Sequence, residues 1–363
     1  MKKKIALLLS LCLLFSVAAY ALAAGDASDP LASLSYLNGT FTSTVNSKVD
    51  EKLNASDAAL LSGSGTSSTG GSSATDWAEI RLKSGDTLVG QTGTSVLLLA
   101  GSGSVSFGSG AVVDVTTGSA VASGTALTVN HRYLTAENTT AVFTVTSKTA
   151  VVDYQGPYSF TYSDAVDYNA MAGALKTLHL FKGSFTGYGQ GYDLEVAPTR
   201  LQALIMFIRV LGEEDAALAW SGSTPFTDIA AGTQAAQYVG YAYEKGYTNG
   251  FTATTFRPAQ TITAQQYVEF MLRALGYSSN ANTNLTTTFD NAVLYGVLTA
   301  GERTQLASGT FLRADLVYIS YYALDAVEAS SGQLLSQVLQ GKGVFTTAEL
   351  TSAQSMVPSS RIW

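Results

Sequence analysis

The spacing of apolar positions changes along the chain, and each change marks a different piece of architecture. Asp29-Pro30 reads as a helix opening, an N-cap followed by proline at the first helical position. After it, Leu31, Leu34, Phe41, Val45, Val49 and Leu53 recur mostly on one helical face, which predicts a helix within residues 24–61. Gly39 and the β-branched residues weaken that helix. Residues 62–76 hold SGSGTSSTGGSSAT and no large apolar side chain, a flexible linker that spans roughly 20 Å as a coil. Over residues 77–160 the pattern becomes short β-type runs, AEIRL, TLVG, SVLLLA, SVSF, AVVDV, ALTV, AVFTV and AVVDY, broken by Gly-rich turns. Such runs predict a small all-β domain, sandwich or barrel-like.

From Asp164 the period is helical, and residues 164–350 repeat themselves about every 50 residues. The units fall at about 164–212, 226–277 and 284–327. The first reads YNAMAGALKTLHLFKG, an inserted GYGQGY, then YDLEVAPTRLQALIMFIRVLG; the second reads FTDIAAGTQAAQYVGYAYEKGYTNG, then FRPAQTITAQQYVEFMLRALG. The third is shortened at its front, FDNAVLYGVLTAG and SGTFLRADLVYISYYALD, with LLSQVLQGKGVFT after it as a closing helix. The second helices register without gaps, Arg200 to Gly212, Ala264 to Gly276 and Arg313 to Asp325. Each carries an apolar stripe, Leu204, Ile205, Ile208 and Leu211 in one, Tyr267, Val268, Met271, Leu272 and Leu275 in another. One unit is too small to bury its own stripe, so the three are expected to share a core. The fold class is therefore α+β multidomain: an N-terminal helix with the makings of a coiled coil, a small all-β domain and an all-α triple-repeat domain.

The first 23 residues, three lysines, an apolar run and Ala21-Leu22-Ala23, have the layout of a secretory signal peptide. No later segment is apolar enough to span a bilayer, so no membrane span is expected after cleavage. Cys12 is the only cysteine and lies within that signal, preceded by Leu11 where lipoprotein processing wants a small residue. The mature chain then has no disulfide, thiolate metal site or cysteine nucleophile. With 20 Lys and Arg against 27 Asp and Glu the chain is acidic, and losing Lys2, Lys3 and Lys4 makes it more so. Nucleic acid is excluded as a partner on that balance.

The segments FTDI, AYEKGYTNG, TTFRPAQTIT and EFMLRALGY resemble the surface-layer homology (SLH) module: a Phe-x-Asp opening, a helix ending in Gly-x-x-x-Gly, a Phe-x-Pro segment and an Ile-Thr-Arg-Ala-Glu helix start. The resemblance covers about residues 164–327 and is fullest in the second unit. It implies a helical, pseudo-threefold domain that holds an exported protein to the cell wall by binding a secondary wall polysaccharide, often a pyruvate-bearing one, without catalysis. The motif arginine, which helps hold the acidic sugar substituent in the family, corresponds to Arg200 and Arg313; Ala264 stands in its place in the second unit. Asp228 corresponds to the aspartate of the opening, Gly246 and Gly250 to the helix-end glycines, and His179 stands where the first unit would have the earlier glycine.

Thr199 with Gln202, and Thr263 with Gln266, have capping-box spacing, and each marks a helix start whose first amides lack intrahelical partners. Arg200 then sits where the macrodipole disfavours a cation, and a ligand carboxylate would relieve the conflict. The alternative is that Arg200 pairs with Glu195 or Asp193 and Arg313 with Asp315 or Glu302. Tyr192 and Phe256 offer rings for a sugar, or else plug the core. The expected ligand-binding set for wall polysaccharide is Arg200, Arg313, Asp228, Thr199 and Gly250.

Enzyme signatures are missing: there is no Gly-x-Ser-x-Gly or phosphate loop, and His131 and His179 lack metal-ligand spacing. Glu213, Glu214 and Asp215 read as a solvated helix-end cluster, GYGQGY as an insertion loop, and His131, Arg132 and Glu137 as surface structure around a turn. No catalytic residue, metal or cofactor is expected. The leading function is a noncatalytic, secreted surface protein held to a peptidoglycan-linked glycan at the cell wall or S-layer. A structural lattice or envelope-spacer protein that forms homo-oligomers through its N-terminal helix is the second reading, and a carbohydrate-active enzyme in the β-domain the third.

Overall fold

The computed structural model describes residues 72–183, 187–279 and 285–363. The helix expected within residues 24–61 and the linker up to residue 71 lie outside them. Ten strands come first: β1 (Ser72–Lys83), β2 (Thr87–Gly90), β3 (Ser95–Ala100), β4 (Gly103–Phe107), β5 (Ala111–Asp114), β6 (Ser119–Val121), β7 (Thr125–Ala126), β8 (Arg132–Ala136), β9 (Ala141–Val145) and β10 (Thr149–Thr161). β1 opens at Ser72, inside the stretch whose composition reads as linker. The strands form one antiparallel sheet, nearly closed and barrel-like, in the order β6-β5-β8-β3-β10-β2-β9-β4-β7, with β1 on the other edge of β10.

The long strand β10 makes this topology. Its Val151–Gln155 part pairs with β3 and its Tyr158–Thr161 part with β2. Between them, at Gly156, φ is +103° and an added Cβ would lie 2.8 Å from the Thr94 Cα. Only glycine lets the 91–94 chain cross so closely, and the strand turns there. Side chains alternate between core and outside, as in β9, where Ala141, Phe143 and Val145 are buried. With Leu82, Leu88, Val96, Leu98, Val105, Val112, Tyr133 and Val152 they form one core.

The helical half holds α1 (Tyr168–Thr177), α2 (Arg200–Val210), α3 (Glu214–Leu218), α4 (Gln234–Glu244), α5 (Ala264–Ala274), α6 (Thr288–Leu294), α7 (Ala300–Ser308), α8 (Arg313–Tyr322), α9 (Leu335–Gly341) and α10 (Thr347–Ser355). A single continuous core includes Leu175 of α1, Phe207 and Ile208 of α2, Val239 of α4, Tyr267 and Met271 of α5, and Val317 of α8. Buried Tyr267 finds Ser320 Oγ at 2.7 Å, so its hydroxyl is not orphaned. α1, α4 and α6 end alike: Leu180, Tyr247 and Val297 N–H each donate to a carbonyl five residues back at 2.8 Å. The turn residue in each has positive φ, His179 at 62°, Gly246 at 75° and Gly296 at 72°. His179 thus adopts a conformation that glycine takes more cheaply.

LLSQVLQGKGVFT forms one short helix, α9, which ends before Gly343 at φ 74°, and Thr346 then caps a further helix, α10, which packs on α1. GYGQGY is more than an insertion. Gly189 lies against β1, where an added Cβ would collide with the Arg81 guanidinium and Val151, and its N–H donates to Glu79 Oε1 at 2.8 Å. The β-sheet and the helices therefore meet in a fitted, polar contact.

Candidate functional site

Asp228 organises the first part of the site. Its carboxylate accepts from the N–H groups of Phe256 and Arg257 at 2.8 and 2.7 Å. Arg257 is thereby held at φ 60°, stacked 3.7 Å over the ring of exposed Phe251. Burial raises the Asp228 pKa, but the two backbone donors, with Arg200 nearby, outweigh it and keep it below the ordinary value. Gly250 (φ 81°) brings the chain against the Phe226 ring, where no side chain fits.

Against this turn stands the start of α2. Thr199 and Gln202 form the expected capping box, as do Thr263 and Gln266 at α5. The first amides of α2 are not open to an anion, however. Arg200 N–H donates to Gln260 O at 2.8 Å and Leu201 N–H to Pro258 O at 3.2 Å. The Arg200 side chain turns inward, and the residue is only 3% exposed. Its Nε donates to Phe256 O at 2.8 Å and its Nη1 to Gln266 Oε1 at 3.2 Å, and the guanidinium lies 5.0 Å from the centre of the Phe256 ring. Glu195 and Asp193 pair instead with Arg81 and Arg313, and the Arg200 guanidinium clamps two helical units together. Phe256 and Tyr192 are both buried, so the core role holds for each.

The start of α8 repeats this plan with a different outcome. Arg313 and Ala314 N–H donate to the carbonyls of Val196 and Leu194 at 2.9 and 3.0 Å, so here too a neighbouring extended segment occupies the amides. Arg313 pairs with Asp193 at 3.1 Å rather than with Asp315 or Glu302, and its side chain keeps 14% exposure. It borders a cavity of about 190 Å³ with Arg209, Gln202, Phe181, Ile205, Met206 and Leu316 in its lining. Burial lowers the Arg313 pKa; Asp193 opposes the shift and the second cation, Arg209, adds to it. Two guanidiniums thus border the pocket over an apolar floor, each with a carboxylate beside it, Asp193 at Arg313 and Glu214 at 2.8 Å from Arg209.

The start of α5 has neither cation nor strap. Among the described residues no carbonyl outside the helix accepts from Ala264 or Gln265 N–H.

A Phe-x-Asp turn, two left-handed glycines, a Phe-x-Pro strap and a capped helix now stand in one folded unit. Residues 225–267 match the S-layer homology domain. The chain is also 30% identical over 96 residues, 26% of its length, to the "Middle cell wall protein" of Brevibacillus brevis, and 28% identical over 125 residues, 33% of its length, to the "Surface layer protein" of Brevibacillus choshinensis. It spans about a tenth of these relatives, 9% and 11% of their lengths. The S-layer homology segment supplies Asp228, Phe251, Arg257 and Gln266 to the Arg200 clamp, while the Arg313 cavity is built from elements outside it.

Sequence reasoning overlooked Arg209, Phe251 and Arg257. Arg209 had a signal in the parallel between FIRVLG and MLRALG, each with an arginine in the last turn; the left-handed Arg257 had none. Glu213 and Glu214 are no solvated cluster: Glu213 accepts from Tyr241 and Tyr247, and Glu214 from Tyr238, Arg209 and Lys182. Burial raises the Glu214 pKa, but these donors bring it down to about 2. His131 bonds Asp114 at 2.8 Å, a structural role. Among the described residues no group of side chains is arranged to hold a metal, and no helix is long and apolar enough to cross a membrane.

Proposed function

We propose that this chain is a noncatalytic, secreted surface protein that holds to the cell wall through its helical half. The reading takes the helical half as three S-layer homology repeats that bind an anionic secondary wall polysaccharide, a pyruvylated one fitting best. The observation that carries it is the Arg313 cavity, in a chain that also matches the S-layer homology domain. Arg313 and Arg209 hold the carboxylate, with Gln202 as a further polar contact and Phe181, Ile205, Met206 and Leu316 receiving the apolar substituent. Asp228, Gly250, Thr199 and Arg200 shape the adjoining turn and the start of α2, the helix that carries Gln202 and Arg209. The relatives' names support a wall or surface location and a structural role.

Co-sedimentation with purified wall sacculi tests this, before and after the secondary polymer is stripped. Wild-type protein is expected to pellet only with intact sacculi. Arg313→Ala should weaken binding about tenfold or more, since one charge-assisted hydrogen bond is worth about 1.5–3 kcal/mol. Equal binding to stripped sacculi would refute the polymer as ligand. A second reading, a lattice protein, draws on the relative named a surface layer protein; light scattering at rising concentration tests self-association.

A further inference from the structure

The β-sheet contacts the segments that hold Arg313 from two sides. On one side, Arg81 of β1 pairs with Glu195, donates to Asn169 Oδ1 at 2.8 Å and to Gly189 O at 3.0 Å, and lies 5.6 Å over the Tyr192 ring. Tyr192 and Glu195 belong to the segment whose Asp193 holds the Arg313 guanidinium and whose Leu194 and Val196 carbonyls cap α8. On the other side, Lys148 in the β9–β10 turn pairs with Asp315. The second oxygen of Asp315 accepts the Leu312 N–H at 3.0 Å, immediately before Arg313. Arg81, Glu195 and Asp315 side chains are each under a tenth exposed, so these are ordered, largely desolvated pairs whose loss leaves a buried charge uncompensated.

We infer that the β-domain is a working part of the anchor: Arg81 and Lys148 are positioning residues that fix the strap and the helix start on either side of Arg313 without touching the ligand. Docking of the β-domain and binding at the Arg313 cavity are then coupled, and by reciprocity anything that shifts one shifts the other. The inference rests on the anchoring function proposed above.

The test measures sacculus affinity of full-chain variants. Lys148 keeps 29% side-chain exposure, so Lys148→Ala should remain folded, with circular dichroism as the check, and bind about five- to tenfold more weakly. Lys148→Arg should restore most of that loss. In an Arg313→Ala background, Lys148→Ala should add nothing, because both act through one contact. Arg81→Ala should likewise weaken binding and expose residues 162–167, between sheet and helices, to protease. Arg132→Ala, whose contacts are Ser95 and Trp77 within the β-domain, should bind as wild type. Wild-type affinity in folded Lys148→Ala, or an additive loss in the double variant, overturns the coupling while leaving the anchoring function standing. Wild-type protein that fails to bind sacculi overturns both.

Discussion

Arg200 and Arg313 occupy matching sequence positions, yet replacing Arg200 with alanine should damage the fold rather than the ligand contact. The side chain makes two hydrogen bonds, to Phe256 O at 2.8 Å and Gln266 Oε1 at 3.2 Å, and packs on the Phe256 ring. Charge-assisted bonds contribute about 1.5–3 kcal/mol each. Truncation also relieves the cost of burying the cation, whose pKa is lowered first by burial and then by repulsion from Arg257, with Asp228 opposing. The net loss should be about 3 kcal/mol, which for a helical half of this size lowers the melting temperature by about 6–12 °C. Thermal melts followed at 222 nm measure it, with Arg200→Lys as the intermediate case: it keeps the charge but loses the fork. A melting temperature within about 2 °C of wild type, together with lost sacculus binding, would refute this reasoning and return Arg200 to the ligand.

Two further outcomes follow from the packing. Glu214, with its folded pKa brought down to about 2 from the ordinary 4.5, contributes stability that is present above pH 4.5 and is lost as pH falls toward 2. Acid titration of the melting temperature should show that loss in wild type and not in Glu214→Gln; identical profiles would contradict it. Gly156→Ala should destabilise the β-domain by about 1–3 kcal/mol, because φ +103° and the approach of Thr94 both exclude a side chain. A denaturant melt that is unchanged would show that β10 can turn without glycine there.

The sequence alone carried what local chemistry encodes. Alternation in AVFTV gave a half-buried strand, Thr-x-x-Gln gave both capping boxes, and the apolar stripes pointed to helices that share one core. These signals are short-range: a strand period or a cap is written within a few neighbouring residues. What tertiary structure decided is which residue each polar group meets. Arg200 was matched to a ligand and instead turned inward toward Phe256 O and Gln266; Arg313, in the same motif place, came to line a cavity with Arg209. Both helix starts had amides that sequence left open, and carbonyls distant in sequence filled them, from Gln260 and Pro258 at one and Val196 and Leu194 at the other. The GYGQGY loop read as an insertion until the β-sheet lay against it. Such outcomes depend on how buried donors and acceptors are shared across the whole molecule, since each must find a partner once water is excluded, and that sharing is settled only when the units have packed.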